Sequence, residues 1–184
     1  HRARIDYVKR LNDVLERRLF EREDITIRYV SSLEGKGDLS DYEALIAERL
    51  SLRIQAELSA GHSLIGPHRD DLEILFDGRD IRAFGSSGQQ RSALIILDLA
   101  AISVYYSWHN EYPLFLIDDV DAELDGKRIK FLLEYLDGRT QTFITTSKES
   151  LVEQFVARAN VYEVGDGAVK TEALPTSVSA AEGI

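Results

Sequence analysis

Apolar positions Ile5, Val8, Leu11, Leu15 and Leu19 recur every three or four residues, which predicts an amphipathic helix at the start of the chain. The next run, Ile25-Thr26-Ile27-Arg28-Tyr29-Val30, is β-branched and alternating, so a strand is expected. Gly35 to Ser40 reads as a polar loop, with Ser40 or Asp41 placed to cap a helix that reaches about Ala60. That helix should bury Tyr42, Leu45, Ile46, Leu50, Ile54 and Leu58. Beyond Gly61 the pattern changes. Leu72 to Phe76, Asp77-Gly78 and Arg79 to Ile81 predict a hairpin with an Asp-Gly turn. A glycine-bearing loop, Gly85 to Gly88, leads into a helix from about Gln89 to Trp108. Its Ala93-to-Val104 stretch is apolar almost all round, so burial on most sides is expected. The second half then alternates: strand Leu114 to Ile117, helix near Lys127 to Leu136, strand Thr142 to Thr145, helix near Ser150 to Ala159. A final hairpin is expected around Asp166-Gly167, and the small, polar residues after Leu174 read as a tail. Such alternation implies right-handed crossovers and a parallel sheet, hence the α/β class.

Composition narrows this picture. At 44% hydrophobic and 29% charged, the 184 residues have the balance of a soluble globular domain. No apolar run is read as a bilayer-crossing segment, and no signal-peptide pattern opens the chain, so no membrane role is expected. The absence of cysteine excludes disulfides and thiolate metal sites and permits a reducing, cytoplasmic location. A chain that opens on His1 and contains no methionine reads as a piece of a longer polypeptide. The net charge of −10 argues against a simple nucleic-acid binder. It is uneven, however: residues 1–22 hold seven Lys/Arg against four acids. That segment either touches phosphates or forms an ordinary exposed face of mixed charge, and both readings stay open.

The sharpest chemical feature is Leu114-Phe115-Leu116-Ile117-Asp118-Asp119. An uninterrupted apolar strand suits the covered centre of a parallel sheet, and carboxylates at its C-terminal end stand where open α/β sheets bind ligands. One acid can hold a hard cation such as Mg²⁺ while its neighbour polarises an attacking water. The plainer alternative is a strand ending in a solvated acidic turn. Asp121, Glu123 and Asp125 crowd the same stretch, and like charges so close are costly without a cation or basic partners, which points to a metal. The second feature is Ser86-Ser87-Gly88-Gln89-Gln90-Arg91 at the start of the buried helix. Free N–H groups, a positive dipole end, a hydroxyl and a glycine suit a phosphate. An ordinary N-cap by Ser86 or Ser87 explains the same residues.

Taken together, these features resemble the RecF-type members of the ABC and SMC-related ATPases. Ser86-x-Gly88-Gln89-Gln90 is similar to their signature motif, Leu114 to Asp119 to their Walker B strand, and Ala122-Glu123-Leu124-Asp125 to their D-loop. Gly66-Pro67-His68-Arg69-Asp70-Asp71-Leu72 resembles a stretch of the RecF type itself, and Thr145-Thr146 ends the strand where ABC proteins place a switch residue. The resemblance implies ATP and Mg²⁺ as cofactors, with Asp118 on the metal and Asp119 in the catalytic position. It implies that Ser86 and Gly88 reach the γ-phosphate of a partner subunit, that Ser87 and Gln89 beside them bind the nucleotide, that Asp125 lies at that interface, and that Arg69 and Thr145 line the site. His68 can equally cap or pack, and Arg69 can equally pair with Asp70 or Asp71. It further implies an ATP-driven homodimer on DNA, acting in recombinational repair at single-strand gaps and junctions with RecO and RecR. Thr145 or Thr146 departs from the histidine common at the switch, and Asp98 and Ala101 replace expected charges on the signature helix.

A G-x-x-x-x-G-K-S/T loop is missing; Gly35-Lys36-Gly37 lacks the spacing. The chain is therefore expected to be the C-terminal half of a P-loop ATPase head with a mostly parallel sheet, preceded by a helical arm segment. Residues 1–60 would be that arm's return, residues 61–172 the half-head, and residues 173–184 the tail. Another SMC- or OLD-type head, and a non-enzymatic interaction module on the same fold, are the rival readings.

Overall fold

The computed structural model describes residues 1–16, 24–155 and 158–170. Leu19, four of the charged residues in the basic segment (Arg17, Arg18, Glu21 and Arg22) and the tail 173–184 lie outside that range. The chain forms two compact units, His1–Pro113 and Leu114–Ile184.

In the first unit, helix α1 (Arg2–Leu15) turns Leu11 and Leu15 inward, at the spacing that puts them on one face. Strand β1 (Ile25–Val30) has the expected bounds and buries Ile25 and Ile27. It is an edge strand, and Asn12 closes part of that edge. The side-chain amide of Asn12 donates to the Ile27 carbonyl at 2.8 Å, and its oxygen accepts from the Ile27 N–H at 2.9 Å. On its other side β1 runs antiparallel to the hairpin strand, with Ile27 opposite Ile74.

Helix α2 (Tyr42–Ala60) is capped by Asp41, which accepts from the Ala44 N–H, and ends at Gly61 in the left-handed region. Its buried side is shorter than expected. Leu45 is buried and Tyr42 and Ile46 are half-buried, but Leu50, Ile54 and Leu58 are exposed. Periodicity reports an apolar stripe without saying what covers it, and nothing in the described residues covers this one.

Strands β2 (Asp71–Phe76) and β3 (Arg79–Asp80) form the expected hairpin. Asp77 and Gly78 both have positive φ, the geometry of the tight turn that matches strand twist. Ile81, read as the end of a strand, instead opens the short helix α3 (Ile81–Phe84), because Asp80 accepts from the Arg82 N–H and caps it. Helix α4 (Ser87–His109) follows and buries Ser92, Ala93, Ile96, Leu99, Ala100, Ile102 and Val104. One correction concerns membranes. α4 is long and apolar enough, by length and composition, to cross one, where no such segment is expected from the sequence. Here it serves as a core helix: Ala93, Ile96, Ala100 and Val104 pack with Leu11, Leu15, Ile25, Ile27 and Ile81.

The six-residue β1–β2 pairing links residues on either side of positions 60 and 61, and the compact units divide at 113 and 114.

The second unit carries the parallel pair, β4 (Phe115–Ile117) and β5 (Thr142–Ile144), with Leu116 opposite Phe143. Between them lie α5 (Val120–Glu123) and α6 (Gly126–Leu136), which contribute buried Val120, Ile129, Leu132 and Leu136. Helix α7 (Glu149–Phe155) and the hairpin of β6 (Glu163–Gly165) and β7 (Ala168–Lys170) complete it, with Asp166 and Gly167 at the turn. The α/β class holds. Among the described residues parallel pairing is confined to β4 and β5, and one face of that pair is bare: Leu116 is 67% exposed and Phe143 53%. The full covering expected for so apolar a strand is not supplied among the described residues.

Candidate functional site

At the C-terminal end of β4 the backbone is knotted to the end of β5. The Thr145 N–H donates to the Ile117 carbonyl at 2.9 Å, and the Val120 N–H donates to the Thr145 carbonyl at 3.1 Å. The Thr145 hydroxyl donates to Asp118 Oδ1 at 2.5 Å and accepts from the Asp119 N–H at 2.8 Å. A hydroxyl has one proton, so that proton is committed to Asp118. Asp119 adopts φ 50°, in the left-handed region that non-glycine residues seldom visit. Its side chain is exposed, and no hydrogen bond or ion pair engages its carboxylate among the described residues. Asp118, Asp119 and Thr145 are thus brought together, with Thr145 turned toward Asp118.

The crowd of carboxylates resolves differently from expectation. Asp121, with 7% of its side chain exposed, takes hydrogen bonds from the hydroxyls of Thr146 and Ser147 and from the Ser147 N–H, and pairs with Lys148 at 3.5 Å. The Thr146 hydroxyl holds its carboxyl below the usual carboxylate range, assisted by the Ser147 N–H and Lys148 against the cost of burial. Asp125 caps α6 by accepting from the N–H groups of Lys127 and Arg128, and pairs with the Arg128 guanidinium at 2.8 Å. Those partners, led by the Arg128 N–H, also lower its pKa.

Two of the carboxylates that suggested a metal are therefore balanced by protein groups, and the described residues contain no cluster of three or more acid, His or Cys ligands. Of the carboxylates whose side chains are described, Asp118, with one oxygen on Thr145, and the unengaged Asp119 beside it remain; the side chain of Glu123 lies outside the described residues. A pair of hard oxygen donors at a strand end fits Mg²⁺, which keeps several waters and takes one or two carboxylates together with phosphates.

The turn before α4 is built as a reciprocal cap. Ser86 Oγ accepts from the Gln89 N–H at 3.3 Å, and Gln89 Oε1 accepts from the Ser86 N–H at 2.8 Å. Gln90 fixes the preceding loop by donating to the carbonyls of Ile81 and Gly85. Gly85 cannot carry a side chain, since a Cβ would lie 2.5 Å from the Ile81 carbonyl oxygen. A Cβ at Gly88 would meet nothing within 4 Å. Packing does not require that glycine, whereas close approach of a ligand to the backbone would. Ser86, Ser87 and Gly88 are exposed, and Gln89 is half-buried.

In the same compact unit, the acids of the 66–72 stretch pair away from Arg69. Asp70 pairs with Arg4 at 2.8 Å and Asp71 with Arg82 at 2.6 Å, so neither neutralises Arg69. The Arg69 guanidinium donates to the Ser63 carbonyl at 3.3 Å, and His68 Nε2 lies 3.1 Å from the same oxygen. Asp70 is the residue that sequence reasoning missed. Its carboxylate also takes the Tyr29 hydroxyl at 2.5 Å and the Ser32 N–H at 2.8 Å. Burial opposes its ionisation, but Tyr29, Ser32 and Arg4 outweigh that and hold its pKa below the usual range. A buried acid flanked in sequence by Arg69 and Asp71 carries no local sign that its partners stand 38 to 66 residues away.

No family model matches the chain. Among curated proteins it is 37% identical over 152 residues to the DNA replication and repair protein RecF of Lysinibacillus sphaericus, covering 81% of this chain and 41% of that protein. It is 34% identical over 176 residues to RecF of Enterococcus faecalis, covering 91% and 47%, and 37% identical over 150 residues to RecF of Bacillus subtilis, covering 80% and 40%. Among solved structures it resembles the recombination mediator protein RecF with ATP, in the RecFOR pathway, with a TM-score of 0.69 and 28% identity over 93% of this chain and 46% of that one. The same mediator with ATPrS gives a TM-score of 0.67 and 27% identity, over 91% and 45%. The chain spans somewhat under half the length of the relatives it matches.

Proposed function

Because the chain belongs to the RecF family of DNA replication and repair proteins, we propose that it supplies the signature and Walker B sides of an ATP site in a DNA-repair ATPase. The observation that carries this reading is the bridge of the Thr145 hydroxyl between Asp118 and the Asp119 N–H. It orients one carboxylate for a cation and leaves its neighbour unengaged. Asp118 would hold Mg²⁺, which when bound neutralises phosphate charge. Asp119 would accept a proton from the attacking water.

On this reading Ser86, Ser87, Gly88 and Gln89 present hydroxyl and N–H donors to the γ-phosphate bound by a second copy of the protein. Asp125 and Arg69 border that contact, and Thr145 orders the switch. The phosphate-cradling loop absent from these residues is contributed elsewhere in the full-length polypeptide. Dimerisation on ATP, DNA junctions as substrate, RecO- and RecR-type mediators as partners and a cytoplasmic location follow from the same reading. The RecF structures with ATP and ATPrS support the nucleotide, and their RecFOR pathway supports the partners.

The test is hydrolysis by the full-length protein. Asp119→Asn should lower the ATPase rate by roughly a hundredfold or more while ATP still binds. Hydrolysis unchanged in that variant would remove Asp119 from the catalytic position.

A further inference from the structure

We propose that Asp121 is a positioning residue for this hydrolytic centre, acting on Asp118 through the segment 145–148; the proposal rests on the ATPase reading above. The β4 end and the β5 end meet at two adjacent points. The first is the Thr145 hydroxyl, which joins Asp118 Oδ1 and the Asp119 N–H. The second is Asp121, on α5, which gathers the three residues after Thr145: the Thr146 hydroxyl, the Ser147 N–H at 3.3 Å and hydroxyl at 3.4 Å, and the Lys148 ammonium at 3.5 Å.

The gathered segment is also tied to itself, since the Lys148 N–H donates to the Thr146 hydroxyl at 3.1 Å and Lys148 Nζ reaches the Asp121 carbonyl at 3.5 Å. Thr146 Oγ1 is therefore held from both sides. Among the described residues, the other hydrogen bonds between this segment and the end of β4 run through Thr145 itself. A threonine rotamer is set by its backbone, so the segment that fixes the Thr145 backbone also fixes the hydrogen bond that orients Asp118. Asp121 sits in this second tier: it touches none of the groups proposed to meet nucleotide, yet it determines where they point. Its near-complete burial among matched donors marks a clamp, in contrast to the exposed, unengaged Asp119 two residues before it.

The experiment is a double-mutant cycle in the full-length protein, reading kcat and KM for ATP alongside melting temperature. Asp121→Ala should lower kcat about tenfold with KM for ATP within about twofold, because it loosens a catalytic group without removing a binding contact. Asp121→Asn, which keeps an acceptor oxygen, should recover most of that loss. In a Thr145→Val background, Asp121→Ala should cost little more, since both substitutions break one chain of contacts. Thr146→Val removes a single hydroxyl and repeats the kcat test if Asp121→Ala does not fold. A folded Asp121→Ala protein with unchanged kcat, or losses that multiply independently across the cycle, would overturn the proposal. If Asp119→Asn also leaves hydrolysis unchanged, the ATPase assignment itself has failed; if only the Asp121 variants are silent, that assignment stands and the clamp falls.

Discussion

The Asp70 carboxylate, with 2% of its side chain exposed, joins α1, β1 and the 66–72 stretch through Arg4, Tyr29 and Ser32. Removing it strands the Tyr29 hydroxyl and the Ser32 N–H, so Asp70→Ala should destabilise the first unit by about 3 kcal/mol in urea unfolding. Its lowered pKa fixes the sign of an acid limb. The stabilisation is present above the unfolded value of about 4 and is lost as pH falls through the lower folded value. Tyr29 adds an alkaline limb: burial, then its bond to Asp70, push its hydroxyl up to about 12. That contribution is intact below about 10 and is lost as pH rises toward 12. Tyr29→Phe should flatten the alkaline limb in a pH series of melting temperatures; an unchanged slope would show that the hydroxyl is not the titrating group. At this scale the sequence was only partly legible. Asp118, Asp119 and Ser86 announce themselves by their place in motifs, whereas Asp70 and Asp121 matter through partners distant along the chain.

Elements with an unambiguous period are where sequence and structure agree. Strand β1, the β2–β3 turn and α6 follow alternation, a paired Asp-Gly and a three-four spacing. Where local capping competes with pattern, the pattern loses, as at Ile81, whose β-branched side chain still begins a helix because Asp80 caps it. The turn into α4 raises a sharper question, since Ser86 is both an N-cap and a candidate phosphate ligand. Two substitutions separate the roles. Ser86→Ala should cost about 1 kcal/mol of stability through the lost cap. Ser86→Asn keeps a capping oxygen, and so should leave the unfolding midpoint close to that of the unsubstituted protein while abolishing ATP hydrolysis in the full-length dimer. Retained hydrolysis in Ser86→Asn would make the serine a cap and nothing more.

At the scale of the molecule, the chain carries exposed apolar surfaces that an isolated domain has no use for. One is the Leu50, Ile54 and Leu58 stripe on α2; another is the Leu116 and Phe143 pair on the parallel sheet. Both came from runs whose apolar character was plain in the sequence but whose covering was not, because a hydrophobic pattern does not name the surface that buries it. The chain also spans under half of its relatives' length and has no phosphate-cradling loop. On the proposed reading the site is completed by assembly, with the Asp119 of one copy working with the Ser86 of another.

Mixing two full-length proteins, one carrying Ser86→Arg and the other Asp119→Asn, tests that most directly. Each alone should be inactive. In a symmetric dimer the mixed pair regains one intact site, with Asp119 from the first protein and Ser86 from the second, so an equal mixture should recover roughly a quarter of the unsubstituted ATPase rate. A mixture no more active than its separate components would contradict a site shared between copies.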